Sequence, residues 1–301
     1  MAKSVFHLSD GAPVESEEVK QARNKERENS IIKPFMDAVK EDLVANKIYL
    51  PTLPALALEA LVVINDVDSS ARDLERVISR DAALTARLIR YANSPLYRGL
   101  NTIASIKPAI TRIGFQKVKN AVYAVSMKEV FRTSEKEIEQ RMNDLWTHSV
   151  KVGAQAAMLA KQQPSLDADI ALVAGLIHDI GYIPLLIKVC NFPDLIANPD
   201  FLDKVLGKLH TQLGGSILKL WKFDQHVINV AAEHEDLKRD PGDAPVDYVD
   251  LVQVANIISY EDTDHPFATL DRSSIKAFSR LEKASSDSLD EETKKVEDVL
   301  F

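Results

Sequence analysis

The sequence predicts an all-α protein built from two packed helical subdomains. Only 10 of the 301 residues are glycine, and few stretches alternate between apolar and polar residues as half-buried strands do. Apolar residues instead recur at spacings of three and four, as in Ile31, Phe35, Ala38, Val39 and Leu43. Such spacing places apolar side chains on one face of a helix, where they can be buried against a neighbouring helix.

We divide the chain into four parts by composition and pattern. The parts are a polar N-terminal arm (residues 1–30), an N-terminal helical subdomain (31–133), a second helical subdomain (143–265) and a C-terminal helical tail (266–301). The arm is too low in hydrophobicity to fold by itself, and it could be a loose segment or an exposed helix. The polar stretch from Thr133 to Met142 separates the two subdomains.

Turn signals divide the N-terminal subdomain into short helices. Leu50-Pro-Thr-Leu-Pro54 ends the first of them, and Asp68-Ser-Ser70 caps a later one. Asp81 opens another, which ends at Asn93-Ser-Pro95 because the residue before a proline is disfavoured in a helix. No repeat period is evident, so the pattern does not support a solenoid.

The second subdomain contains the most informative motif, Gly175-Leu-Ile-His178-Asp179-Ile-Gly181, at the end of an apolar stretch rich in small residues. We expect Gly181 to supply the left-handed residue that closes this helix. His178 and Asp179 then lie in the last turn, where two adjacent side chains can converge on one atom. Both residue types are ligands for divalent metals. The alternative is that Asp179 only orients a neighbouring histidine, or that the pair only ends the helix.

Composition limits the classes of function. The single cysteine, Cys190, excludes an internal disulfide and is typical of a reducing cytosol. No apolar run approaches the roughly 20 residues of a membrane span, and the N-terminus lacks the apolar core of a signal peptide. We therefore expect a cytoplasmic protein without a membrane partner. A net charge of −8 argues against a surface that binds nucleic acid throughout.

One region is nevertheless basic. Between Arg72 and Lys119 only Asp73, Glu75 and Asp81 oppose ten basic residues. The ten are Arg72, Arg76, Arg80, Arg87, Arg90, Arg98, Lys107, Arg112, Lys117 and Lys119. They could form a face for an acidic partner or a nucleic acid. We favour the interpretation that they are the solvent-exposed side of amphipathic helices.

The order of the histidines points to a known family. His148, then the motif from Gly175 to Gly181, then His210 resembles the HD superfamily of metal-dependent phosphohydrolases. The span from Leu50 to about Tyr260 resembles more closely the HD-related output domain (HDOD) family. The motifs that carry this resemblance are Leu50-Pro-Thr-Leu-Pro54, Ile78-Ser-Arg-Asp-Ala-Ala-Leu-Thr-Ala-Arg-Leu88, Ala92-Asn-Ser-Pro95, Ile103-Ala-Ser-Ile106 and Ala109-Ile-Thr-Arg-Ile-Gly114. The resemblance implies an all-α protein of two packed helical parts that serves in bacterial signal transduction.

The resemblance also implies a metal site, which this sequence retains in part. In catalytic HD phosphohydrolases the ligands are a helical histidine, the His-Asp pair and a later aspartate. His148, His178 and Asp179 match the first three. Asn256 stands at the position of the last, where its neutral oxygen should lower metal affinity.

Two-metal relatives that cleave cyclic dinucleotides add a further histidine and a His-His pair. His210 matches the further histidine, and Glu233-His234 stands where the pair would be. Glu233 could itself bind a metal. Those relatives also carry a lysine at the position of Tyr182, and its loss removes a positive group that could meet a phosphate.

We therefore predict a non-catalytic regulatory protein of bacterial signal transduction that acts through contacts with another protein. We assign no catalytic residue, and a divalent transition metal could still occupy a degenerate site. The candidate ligands are His148, His178, Asp179, His210, His234, Glu233 and Asn256. The alternative is a metal-dependent phosphohydrolase acting on a nucleotide or cyclic dinucleotide, and a weaker alternative is a nucleic-acid-binding regulator.

Overall fold

A computed structural model describes residues 17–45, 47–49, 51–97, 99–261, 263–281 and 290–300. Within these ranges every regular element is a helix, and no strand is present. The predicted all-α fold class is therefore confirmed. Residues 1–16 of the predicted arm, Leu50, Arg98 and part of the predicted tail lie outside the described residues.

Short helices follow one long helix in the first half of the chain. They are α1 (Glu17–Val44), α2 (Ala55–Asn65), α3 (Ala71–Ile78), α4 (Ala82–Ala92), α5 (Ile106–Ile113) and α6 (Val118–Ser126), with a 3-10 helix at Met127–Phe131. The side chain of Ser70 accepts a hydrogen bond from the backbone N–H of Asp73 and caps α3. Asp81 caps α4 in the same way, as the sequence predicts.

Longer helices dominate the second half. They are α7 (Lys136–Ala160), α8 (Ala168–Ile177), α9 (Tyr182–Val189), α10 (Pro193–Ile196), α11 (Pro199–Leu220), α12 (Gln225–Glu233) and α13 (Tyr248–Ser259). The tail contains two 3-10 turns (Pro266–Thr269 and Arg272–Ser274), α14 (Lys276–Arg280) and α15 (Asp290–Leu300). The tail helix α15 packs against α7 and α4.

The first helix differs from the predicted division of the chain. Helix α1 runs without interruption across residues 30 and 31 and packs against α9, α10 and α11, which lie in the predicted second subdomain. The rings of Phe35 and Phe192 meet edge to face with centroids 5.3 Å apart, and Lys188 pairs with Asp42. Helix α7 likewise begins at Lys136, inside the polar stretch that we expected to separate the subdomains.

Asp169, near the start of α8, is hydrogen-bonded to residues from the first half of the chain. Its Oδ1 accepts a hydrogen bond of 2.7 Å from the Tyr91 hydroxyl, and its Oδ2 accepts one from the Tyr97 hydroxyl. Asp169 and Tyr91 are almost fully buried. Because a buried polar network is costly to leave partly paired, these bonds fix the start of α8 against the C-terminal end of α4.

Close glycine contacts bring the histidine-bearing helices together. Helices α7 and α8 approach so closely that a Cβ on Gly175 would lie 2.6 Å from Cα of Gly153. A Cβ on Gly181 would overlap the carbonyl oxygen of His210 on α11. The φ of Gly181 is −67°, so the predicted left-handed closure is wrong. Position 181 requires glycine because α11 packs closely against it. A contact with a helix so distant in the chain cannot be deduced from the local sequence pattern.

By length and composition alone, the stretch Ala168–Val189 could cross a bilayer. The sequence had predicted that no apolar run is long enough to do so. It consists of α8 and α9 with a turn between them. In the structure 83% of its most apolar window is buried inside the protein, as is usual for the core helices of a soluble fold.

Candidate metal centre

Four histidines surround the carboxylate of Asp179. Oδ2 of Asp179 lies 3.2 Å from Nε2 of His178 and 3.7 Å from Nε2 of His148. Oδ1 lies 3.3 Å from Nε2 of His210 and 3.2 Å from Nε2 of His234. The side chains therefore form two groups of three potential ligands that share Asp179.

Backbone carbonyls fix the tautomers of three of these rings. Nδ1 of His178 lies 2.6 Å from the carbonyl oxygen of Gly175. Nδ1 of His210 lies 3.2 Å from that of Leu206, and Nδ1 of His234 lies 3.1 Å from that of Val230. A carbonyl oxygen can only accept, so each Nδ1 carries the hydrogen. Each Nε2 of a neutral ring then presents a lone pair to the cluster.

A serine hydroxyl fixes the fourth ring. Ser259 Oγ donates its hydrogen to the carbonyl oxygen of Asn256 at 2.7 Å, and it lies 3.3 Å from Nδ1 of His148. Because the hydroxyl has only one hydrogen, it accepts from Nδ1–H of His148. The Nε2 of His148 is thus turned toward the cluster, as are the Nε2 atoms of the other three rings.

This arrangement fits bound cations. Nε2 of His148 lies 3.3 Å from Nε2 of His178, and the same distance separates Nε2 of His210 from Nε2 of His234. Two facing lone pairs at this distance repel each other unless a cation or a proton lies between them. Hydrogen bonding of the outer ring nitrogen is the usual support of a histidine metal ligand. The donor set of imidazoles and one shared carboxylate suits divalent transition metals.

The pKa shifts within the cluster have opposite signs. Burial alone would lower the pKa of His178, but the carboxylate of Asp179 outweighs it and raises that pKa. Burial, reinforced by neighbouring His178, lowers the pKa of His148 to about 3, and burial lowers that of His210 to about 4. Both rings are neutral at pH 7, as metal ligands must be. Burial alone would raise the pKa of Asp179, but His178 and the other histidines outweigh it and hold that pKa well below its usual range.

Two tyrosines flank the cluster. The ring of Tyr182 stacks on His210 with centroids 4.2 Å apart, and that of Tyr260 stacks on His148 at 4.9 Å. The outer side of Tyr260 is covered by His265, whose ring lies 3.7 Å away. Burial raises the pKa of both tyrosines, so their hydroxyls stay protonated. Tyr182 therefore presents an uncharged ring where the two-metal relatives would place a lysine.

The remaining predicted ligands have different surroundings. The carboxylate of Glu233 pairs with Arg239 at 3.1 Å and belongs to neither group of potential ligands. Asn256 is buried one turn before Ser259 on α13, and its Oδ1 has no hydrogen-bond partner among the described residues. A neutral oxygen left unpaired in the core is an available ligand atom.

Glu235 lies beside the cluster but was not among the site residues predicted from the sequence. Its Oε1 lies 3.7 Å from Nε2 of His210, and 36% of its side chain is exposed. Burial raises the pKa of Glu235, opposed by His234. The signal that could have found it is a carboxylate directly after a histidine at a helix end, the same pattern as His178-Asp179.

Much of the predicted basic face is engaged within the fold. Arg80 pairs with Glu59, and Arg87 lies 3.7 Å from Glu129. Arg112 donates to the carbonyl oxygens of Ala92 and Asn101. The partners also include Asp73 for Arg76 and Asp167 for Lys117. These contacts explain part of the basic character by intramolecular pairing.

The fold and the cluster define an HD-like helical protein with paired histidine and aspartate side chains. The family model of the HDOD domain matches residues 50–237, which is more than half of the chain. The chain belongs to the HDOD family, as its motifs suggest.

Solved structures of similar proteins share this fold. A candidate metal-dependent phosphohydrolase from Shewanella amazonensis SB2B is 26% identical with a TM-score of 0.79, over 90% of this chain and 100% of that one. An HDOD domain protein of unknown function from Geobacter sulfurreducens is 21% identical with a TM-score of 0.59, over 86% of this chain and 96% of that one.

Among curated proteins, an uncharacterized protein from Treponema pallidum (strain Nichols) is 28% identical over 244 residues. The match covers 76% of this chain and 46% of the relative. The chain thus spans about half the length of this curated relative.

Proposed function

We propose that this chain is a cytoplasmic, non-catalytic regulator of bacterial signal transduction that acts through contacts with another protein and binds divalent metal at its His–Asp cluster. Membership of the HDOD family supports the regulatory role. The observation that carries the proposal is a contrast within the cluster. Its lone pairs are arranged to receive cations, whereas its surroundings are poorly suited to a phosphate.

The side chains that border the cluster show this contrast. Among the described residues, those that contact the cluster histidines include Tyr182, Tyr260, Ser259 and Glu235, and none of these four carries a positive charge. Phosphate recognition relies on charge-assisted hydrogen bonds from arginine, lysine or backbone N–H groups. A carboxylate beside His210 would repel a phosphate. The nearest lysine on the His148 helix, Lys151, donates its hydrogen bond to the carbonyl oxygen of Ser259 instead.

Metal would have a structural role in this account. The five cluster side chains come from α7, α11 and the ends of α8 and α12, and Ser259 adds α13. A bound dication would supply positive charge between the facing lone pairs. Because the cluster side chains belong to four different helices, a metal bound to them would link those helices. The free energy of metal binding would then add to the stability of the fold.

Hydrolysis assays on the metal-loaded 301-residue chain test this proposal. Suitable substrates are mononucleotides, cyclic dinucleotides and bis(p-nitrophenyl) phosphate, each with Mn²⁺, Fe²⁺ or Zn²⁺. We expect no turnover above that of the Asp179→Asn variant. Turnover that metal stimulates and that this variant abolishes would contradict the proposal. In cells, the folded variant is expected to keep the cross-linked partner of the wild-type chain, and loss of that partner would count against it.

A metal-dependent phosphohydrolase is the second candidate, and one observation favours it. Asp179 is shared between two groups of potential ligands, and a pair of close metal ions is a common centre for hydrolysis of phosphate esters. The similar protein from Shewanella amazonensis is itself described as a candidate phosphohydrolase. The turnover assay above separates this candidate from the regulatory proposal.

A further inference from the structure

An apolar groove lies where the end of α11 meets α2 and α6, and its volume is about 200 Å³. The side chains that line it include Leu53, Leu58, Leu61, Tyr123, Trp221 and Phe223. The rings of Tyr123 and Phe223 pack with their centroids 4.6 Å apart, and those of Trp221 and Phe223 are 6.2 Å apart. Because these rings support one another, one side of the groove is a preformed aromatic surface.

Large apolar side chains extend this groove onto the surface of α2. Leu58 is 46% exposed and Val62 is 69% exposed. The two residues are one turn apart, so they lie on the same face of the helix. Leu220, which directly precedes Trp221, is exposed as well. Exposed apolar residues that continue an apolar groove are typical of an interaction site.

Three lysines lie beside the groove. Lys119 lines an adjoining depression that shares Tyr123 and Phe223 with the groove. Lys219 and Lys222 are exposed and lie within two positions of the lining residue Trp221. In the described part of the chain, none of the three lysines is paired with an acidic residue.

Acidic residues near the groove do not cancel this charge. Glu59 on α2 is paired with Arg80, and Asp66 at the end of α2 accepts hydrogen bonds from its own loop. Asp224 lines the same depression as Lys119. Three lysines therefore face one carboxylate that has no basic partner among the described residues. The charge complement of this surface is acidic.

We propose that this groove is the docking surface for an amphipathic helix of another protein. The apolar face of that helix fills the groove, and its acidic residues meet Lys119, Lys219 and Lys222. This inference rests on the proposed regulatory function and names the surface through which it acts. A helix fits better than an extended segment, because the described residues contain no strand edge to which a strand could be added. Leu58 and Val62 form a ridge against which a helix packs.

The same observations disfavour other occupants. In a symmetric dimer the same patch meets itself, so the lysines of one copy would face those of the other. A bilayer is flat and would leave a concave groove unfilled. The rings of Tyr123 and Phe223 cover each other, which leaves less of each face for stacking on a nucleobase.

Photo-cross-linking in the native host cells tests the occupant. A photoreactive amino acid replaces Val62, and in the control it replaces Leu100, which is fully exposed in the loop before α5. The cross-linked peptide is then sequenced by mass spectrometry. We expect position 62 to link to a segment of another protein with apolar residues at spacings of three and four and with acidic residues between them. Position 100 should not link to this segment.

Binding of the identified segment, as a synthetic peptide, is then measured by fluorescence anisotropy with the purified 301-residue chain. Val62→Asp places a charge on the apolar ridge and should weaken binding by about 10-fold or more. Lys219→Glu reverses a charge on the exposed surface, so it should weaken binding and reduce the dependence of binding on salt. Leu100→Asp is the matched control and should leave the affinity unchanged. Circular dichroism confirms that each variant is folded, and Val62→Ser replaces Val62→Asp if the latter is not.

Several results would overturn the inference. They are a link from position 62 to a second copy of the chain, to lipid or to nucleic acid, and the absence of any link. A linked segment that lacks acidic residues or helical apolar spacing would also overturn it, as would equal affinities of the wild type and the folded Val62 variant.

A general amine-reactive cross-linker separates this failure from failure of the proposed function. If it captures a protein partner that the Val62→Asp variant retains, the groove is not the docking surface and the regulatory contact stands elsewhere. If the wild-type chain yields no protein partner with either reagent, both the inference and the proposed protein contact are wrong.

Discussion

His210 and His234 face each other through their Nε2 atoms at 3.3 Å. Each ring is oriented by a hydrogen bond from Nδ1 to a carbonyl of its own helix. The helices therefore hold the two Nε2 atoms against each other in the core. Such an arrangement raises the free energy of the metal-free fold, and a cation relieves it. Metal binding should consequently be visible as a change in stability.

Divalent metal should stabilise the wild-type chain against heat. At a free metal concentration about 100 times the dissociation constant, a single site adds about 2.7 kcal/mol. The Asp179→Asn variant removes the charge shared by both groups and should respond much less. Differential scanning fluorimetry with Zn²⁺, and then with chelator, measures both responses. Equal melting temperatures with and without metal in the wild type would contradict a structural role.

Gly175→Ala should destabilise the protein and weaken metal binding together. The added Cβ would lie 2.6 Å from Cα of Gly153, so α7 and α8 must separate. Overpacking of this kind costs about 1–3 kcal/mol, and it displaces His148 from His178. Urea unfolding and metal titration measure the two effects. Gly207→Ala is the control, because nothing lies within 4 Å of its added Cβ, and it should stabilise α11 by about 0.5–1 kcal/mol.

Tyr91→Phe should weaken the contact between α4 and α8. The variant removes the 2.7 Å hydrogen bond to buried Asp169 and leaves that carboxylate with fewer donors. The expected loss of unfolding free energy is about 1–3 kcal/mol. Tyr49→Phe makes the same change at a residue that is 53% exposed and should alter stability by less than about 0.5 kcal/mol. Equal stabilities of the two variants in urea would contradict a stabilising role for the hydrogen bond between Tyr91 and Asp169.

Lys222→Gly should stabilise the chain. Lys222 has a φ of 57° and closes α11, where the N–H of Phe223 bonds to the carbonyl oxygen of Leu218 at 3.0 Å. A side chain in this left-handed region costs about 1 kcal/mol relative to glycine. Lys219→Gly, within α11, should instead destabilise by about 0.5–1 kcal/mol. Thermal unfolding of both variants shows whether their effects have opposite signs.

The sequence predicted the parts of this molecule that depend on local pattern. Helical periodicity indicated the fold class, and the order of histidines indicated the side chains that the structure brings around Asp179. Gly181 was misread because its role is contact with His210 on a distant helix. The roles of Glu233 and Glu235 depend on where α12 ends, and helix ends are uncertain by one or two residues in a sequence. That difference turns one carboxylate toward Arg239 and the other toward the cluster.

The sequence pattern also did not predict which distant parts of the chain pack together. The apolar face of α1 contains Phe35 and Val39, both buried, and its spacing identified a helix. The pattern does not specify which subdomain covers that face. The contact of Phe35 with Phe192 shows that residues far away in the chain cover the apolar face of α1.

Metal content tests the central claim most directly. The 301-residue chain is purified without chelator and dialysed against metal-free buffer. Its metal content is then measured by elemental mass spectrometry beside that of the Asp179→Asn variant. The two groups of ligands predict up to two divalent transition-metal ions per wild-type chain and a reduced content in the variant. A folded wild-type chain that holds no transition metal, and takes up none when Zn²⁺ or Mn²⁺ is added, would contradict the account.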